Sequence, residues 1–168
     1  MRRITTLALF LLALAAGCGG GSKETTTQVP TSDGPQSSKA DFIEQADAIC
    51  RNHQSRREDL ESQAGELGPL TSKSQAHQVA NLLRKESTNR RAEISELEDL
   101  DPPPVDADEV NEILELVGTE VDVIDTWATA YDDLDEQAIR RQQIRLSVTS
   151  ARAAARARAF GFEVCGQQ

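Results

Sequence analysis

Between residues 40 and 168 the apolar side chains recur at spacings of three and four and nowhere alternate, which admits helices and gives no basis for a sheet. The periodicity is clearest over Val110, Ile113, Leu114, Val117, Val121, Ile124, Trp127, Tyr131 and Leu134, a third helix that Asp106 would cap with Glu109 three residues on. A first helix is expected from about Lys39 to Ala64, with Ser38 and Asp41 as a capping box and a stripe of Phe42, Ala46, Ile49, His53 and Leu60. Gly65 and Gly68-Pro69 end it. A second starts near Ser72, with Gln75 in the reciprocal capping position, and carries Ala76, Val79, Leu83, Arg90, Ile94 and Leu97. Pro102-Pro103-Pro104 stops it. A fourth is expected from about Asp135 to Phe160 on Ile144, Val148, Ala151, Ala155 and Ala159, with Gly161 as its terminator. Four long helices on short connections make an all-α, up-down-up-down four-helix bundle over residues 40–168.

Charge supports pairing the third and fourth helices. Val105 to Ile139 holds twelve acidic residues and no basic one, while Arg140 to Arg158 holds six arginines and no acid. In an antiparallel pair Arg145 falls level with Asp122 and Asp125, and Arg152 and Arg156 with Glu115 and Glu112. Each exposed pair contributes under about 1 kcal/mol, so the pattern guides pairing more than it stabilises.

The start of the chain is of another kind. Met1-Arg2-Arg3 is a short basic segment, and Ile4 to Ala16 an uncharged, mostly apolar run of thirteen residues. A bilayer-spanning helix needs about 20 such residues, so the run suits a signal peptide over residues 1–17. Leu14-Ala15-Ala16-Gly17-Cys18 resembles the lipobox of bacterial lipoproteins, with Ala15 where leucine is common. That resemblance implies cleavage after Gly17, a lipid on the Cys18 thiol, and anchoring at the extracytoplasmic face of a membrane. Residues 18–39 are rich in Gly, Ser, Thr, Gln and Pro and read as a flexible tether, because so few apolar groups cannot offset the entropy of ordering.

With Arg2 and Arg3 set aside, 28 acidic residues face 16 basic ones, a formal charge of −12. Such a chain offers no basic face to nucleic acid and is repelled by an anionic bilayer, so a membrane is reached through a tether. Once Cys18 is lipidated, Cys50 and Cys165 remain in an oxidising compartment, where a disulfide is expected. Two free thiols or a redox site is the alternative, without a CxxC to support it. The bridge would require the chain to break at Gly161 and Phe162 to Cys165 to run back along the first helix in extended form. Ala46-Asp47-Ala48-Ile49-Cys50, Leu100-Asp101-Pro102-Pro103 and Gly161-Phe162-Glu163-Val164-Cys165-Gly166 resemble small helical lipoproteins of high-GC bacteria. That likeness implies a disulfide-bonded extracytoplasmic bundle and no activity.

Candidate chemistry is sparse. His53 follows Cys50 by three residues, but His77 is the other histidine, and a metal site wants three or four convergent ligands. His53 therefore reads as a partly buried structural histidine, with no metal or cofactor expected. The acids of the third helix lack the spacing of a calcium loop and read as a solvated face. Trp127 and Tyr131 read as core, with a binding platform as the alternative, and Gly118 as a close approach between helices. Arg90 reads as a charge turned to the rim of its stripe, with a buried charge marking a polar interior site as the alternative. No nucleophile, base and orienting group assemble into an enzyme. The expectation is a lipid-anchored, non-enzymatic envelope protein that binds or scaffolds another envelope protein. The alternative is a carrier or sensor for a small apolar or cationic ligand held between the helices, which would need a cavity near Gly118 and Arg90.

Overall fold

The first free amides of a helix need acceptors, and short polar side chains supply them here. A computed structural model describes residues 38–69 and 71–167; the expected signal peptide, Cys18 and the tether up to residue 37 lie outside the described residues. Helix α1 (Lys39–Glu66) opens on the expected capping box: Ser38 Oγ accepts from the Asp41 amide at 3.1 Å, and Asp41 Oδ2 from the Ser38 amide at 3.2 Å. It runs through Gly65 and gives way to Gly68, whose φ of +63° turns the chain. At α2 (Lys73–Glu98) Ser72 Oγ accepts from the Gln75 amide at 3.2 Å. The Gln75 side chain does not close back on the Ser72 amide. It accepts from the Thr71 amide at 2.9 Å and donates to the Leu67 carbonyl at 2.9 Å, stitching the α1–α2 turn.

Helix α3 (Ala107–Asp132) departs from expectation at both ends. Asp106 stands at its N-cap with helical backbone angles, so its carboxylate makes no cap bond and instead accepts from Lys39 Nζ at 3.3 Å. Leu134 is no member of the α3 stripe: it lies past the end, 44% exposed, with φ +57°. Helix α4 (Glu136–Phe160) is capped by Asp135 Oδ1 on the Ala138 amide at 2.9 Å. It stops at Gly161, φ +119°, where the Phe162 amide reaches back to the Ala157 carbonyl at 3.1 Å in a Schellman arrangement.

The four helices form a four-helix bundle in which α1 packs on α2, α2 on α3 and α3 on α4. Arg156 of α4 pairs with Glu112 and Glu109 of α3, as the charge pattern anticipated. Asp125 pairs with Arg91 of α2 instead of Arg145. One end of the bundle is closed by Phe42, Phe160 and Phe162, whose ring centroids lie 4.8–6.2 Å apart, packed with Ala46, Val110, Ile113 and Ala157. Toward the other end Ala76, Ala80, Ala128 and Tyr131 make a second cluster with Val79, Leu83, Trp127 and Ile139, to which α1 adds nothing. The backbones of α1 and α4 never approach closely.

The expected face of α4 is the wrong one. Ile144 and Val148 are 66% and 64% exposed, and Ala151, Ala155 and Ala159 are exposed with them. Gln142, Ala153, Ala154, Ala157 and Phe160 face inward on the opposite side. Alanines lie all around this helix, so small residues do not choose its rotation. Burying Phe160 does, at about 2–3 kcal/mol for a large apolar side chain. No described helix is long and apolar enough to cross a membrane.

Candidate functional site

Two places concentrate polar groups inside the bundle. The first is the clasp that holds the C-terminal tail. Cys50 and Cys165 form the expected disulfide, their Cα atoms 5.3 Å apart. The tail does not run extended. After Gly161 it coils back into a short 3₁₀ turn, Cys165–Gln167, because the buried carboxylate of Asp47 gathers its amides. Asp47 Oδ2 accepts from Glu163 at 2.9 Å, and Oδ1 from Val164 at 2.9 Å and Cys165 at 3.0 Å. Three successive N–H groups around one carboxylate make an anion-binding nest occupied by the protein's own side chain. Phe162, 6% exposed, packs its ring against Phe42 and Phe160.

The second is a cleft of about 530 Å³ where α1 and α4 diverge. Helix α1 lines it with Arg57, Leu60 and Ala64, α2 with Val79, Leu83, Glu86 and Arg90, α3 with Glu120, Ile124 and Trp127, and α4 with Leu146 and Ser150. The volume lies within the range of small-molecule sites, and its walls are mostly apolar. A separate apolar void of about 30 Å³ lies toward the disulfide, against Leu97, Ile113 and Ala153, with Glu120 lining both spaces.

A buried ionic network forms the inner wall of the cleft. Arg57 NH1 lies 2.8 Å from Glu93 Oε2, and Arg90 Nε 3.1 Å from Glu86 Oε1. Arg90 also faces Glu93 at 3.6 Å and Glu120 at 3.7 Å, beyond hydrogen-bonding distance. Arg57, Arg90, Glu93 and Glu120 are at most 9% exposed. Burial pushes the Glu86 and Glu120 carboxyls above the usual range, with Arg90 opposing the shift at both. Burial likewise lowers the Arg57 guanidinium, and Arg90 beside it adds to the effect. Three carboxylates meet two guanidiniums, so the network carries one negative charge in excess when ionised. Glu86 Oε2, Glu120 Oε2, Arg90 NH1 and Trp127 Nε1 are buried and make no hydrogen bond among the described residues. A buried polar atom left unpaired costs about 1–3 kcal/mol, so groups of this kind beside a cleft bond to water or to a ligand.

These positions correct the sequence expectations at Arg90, Gly118, Glu120 and Trp127. Arg90 is not at the rim: it is 7% exposed and central to the network. Gly118 is not a close approach, since a methyl group there would meet nothing within 4 Å. Glu120 leaves the solvated face expected for α3 and is 2% exposed. Tyr131 is core, while half-buried Trp127 turns its ring to the cleft, 5.9 Å from that of Tyr131. His53 is fully buried, its Nδ1 2.8 Å from Asn89 Oδ1. His77 is exposed and lies 2.9 Å from Asp132, whose carboxyl His77 and Arg84 hold below the usual range. No group of three metal-ligating side chains converges among the described residues.

Asp47, Arg57, Glu86 and Glu93 are not among the sequence-predicted site residues. A signal for the network was present: Glu86, Arg90 and Glu93 fall at i, i+4 and i+7 on one face of α2, and Arg57 extends the α1 stripe one turn beyond His53. Comparison with known proteins brings no family model, curated protein or solved structure that matches the chain.

Proposed function

We propose that this chain is a lipid-anchored, non-enzymatic protein of the cell envelope, held at the extracytoplasmic membrane face through Cys18, that takes a small ligand into the cleft between α1 and α4. One observation carries the ligand reading: a cleft of about 530 Å³ whose inner wall holds buried polar atoms without partners. Binding is favoured over catalysis because neither histidine nor cysteine lines the cleft, and Ser150 is its one hydroxyl among the described residues. The anchor rests on the lipobox-like Leu14 to Cys18 and the short apolar run before it. Native mass spectrometry of the protein extracted from membranes tests the ligand: an adduct is expected, and it should vanish in a Leu83→Trp variant that fills the cleft. A ligand-free mass in repeated preparations would overturn the reading. Cys18→Ser should leave unprocessed precursor or release the protein from the lipid-anchored pool.

A second reading, a scaffold for another envelope protein, is favoured by the exposed face of α4. Ile144 and Val148 stand there with Arg140, Arg141, Arg145 and Arg152 around them, a surface suited to an apolar, acidic segment. Capture of a stoichiometric partner that Val148→Asp abolishes would support it.

A further inference from the structure

We infer that the cleft selects a cation: a compact apolar body carrying an ammonium group that sits against Glu120 and Glu86. This deepens the ligand reading and rests on it. The apolar body has Leu60, Leu83, Trp127 and Leu146 to lie against, side chains from all four helices. The head is decided by charge. Among the described residues the charged groups on the cleft's inner wall are Arg57, Glu86, Arg90 and Glu120, all members of the network, and α4 contributes none. Arg57 pairs with Glu93, and Arg90 pairs with Glu86 through Nε, its NH1 making no hydrogen bond among the described residues. Among the described residues Glu120 has no cation within hydrogen-bonding distance, although it is 2% exposed and Arg90 lies 3.7 Å away; the Ser150 hydroxyl hydrogen-bonds its carboxyl.

An arriving ammonium supplies N–H donors to the bare Oε2 atoms of Glu120 and Glu86 and neutralises the excess charge. A neutral hydroxyl satisfies one acceptor and leaves the charge in place. A carboxylate adds a like charge to a site that already has one too many, and the exposed Glu58 and Glu61 at the mouth repel it on approach. The indole face of Trp127 suits a cation further.

The test uses one rigid body with three heads: 1-adamantylammonium, 1-adamantanol and 1-adamantanecarboxylate. Each is titrated into the full chain at neutral pH and followed by the fluorescence of Trp127, the one tryptophan present. The ammonium should bind about tenfold more tightly than the alcohol, as expected for a charge-assisted hydrogen bond, and the carboxylate most weakly. Glu120→Gln should erase most of the ammonium's advantage, so that the ratio of the ammonium's affinity to the alcohol's falls from about tenfold toward one. Glu86→Gln, at a less buried position, provides the same comparison if Glu120→Gln fails to fold. Equal or preferred binding of the alcohol or the carboxylate would overturn the cation inference and leave the ligand cleft standing. Saturable binding by none of the three would overturn both.

Discussion

Replacing Asp47 with asparagine changes one oxygen to an NH₂ group and keeps the shape of the side chain, which isolates the electrostatics of the tail clasp. In the native protein Asp47 Oδ1 accepts from two amides and Oδ2 from one, all at 2.9–3.0 Å. Asparagine can keep the two bonds on its single oxygen, but without the full charge, and its NH₂ then faces the Glu163 N–H, donor against donor. A hydrogen bond to a charged group is worth about 1.5–3 kcal/mol, and an unpaired buried donor costs about 1–3 kcal/mol. With half-exposed tail amides that can turn partly to water, a loss of roughly 3 kcal/mol is expected. For a folded part of this size, 1 kcal/mol moves the midpoint by roughly 3–5 °C, so the Tm should fall by about 10 °C. Asp47→Ala removes both acceptor oxygens and so all three hydrogen bonds, and should fall further, while the disulfide still holds the tail nearby. Thermal unfolding by far-ultraviolet circular dichroism without reductant measures the shift, and hydrogen exchange at Glu163, Val164 and Cys165 reports the local loss of protection. An Asp47→Asn variant within 0.5 kcal/mol of the native protein, with those amides still protected, would show that the carboxylate does not organise the tail.

Three further outcomes are expected. Gly118→Ala should stabilise the protein by about 0.5–1 kcal/mol, since the added methyl meets open space and alanine favours the helix; destabilisation in chemical denaturation would mean that α3 is crowded there. Ile144→Asp should change stability by no more than about 0.5 kcal/mol, whereas Ala157→Asp should abolish cooperative unfolding; the reverse ranking would put α4 in the other rotation. Because the Glu86 and Glu120 carboxyls are raised, the folded state holds their protons at pH values where the unfolded chain has released them. Their contribution therefore weakens stability as pH rises from the ordinary glutamate value of 4.5 through the raised folded value, and Glu120→Gln should flatten that slope in denaturant titrations between pH 4.5 and 7.5. An unchanged slope would argue that Glu120 titrates as a solvated group.

Helix existence and most helix ends were legible in the sequence because their causes are local. Ser38, Ser72 and Asp135 cap from within one turn, Gly161 stops α4 at positive φ, and runs at three and four residues set helical period without any neighbour. The cysteine pair was legible once Cys18 was read as lipidated, since two thiols then remained to join. Asp106 marked the start of α3 correctly but not its own role, since Lys39, from the far end of the sequence, takes its carboxylate.

Rotation, burial of charge and empty space were decided by the tertiary structure. A stripe tells a helix which face to bury only when the other face is plainly worse. Helix α4 has Ile144 and Val148 on one side and Phe160 with three alanines on the other, and the choice went to the side that closes on Phe42 and Phe162. Arg90 reads as a rim residue until Glu86, Glu93 and Glu120 are seen around it, because a charge goes inside only where other helices bring its partners. The cleft left only an indirect mark on the sequence, the charge of Arg90 on an apolar stripe. It is the volume between α1 and α4 that no side chain fills, and an absence between elements far apart along the chain is a property of their arrangement alone.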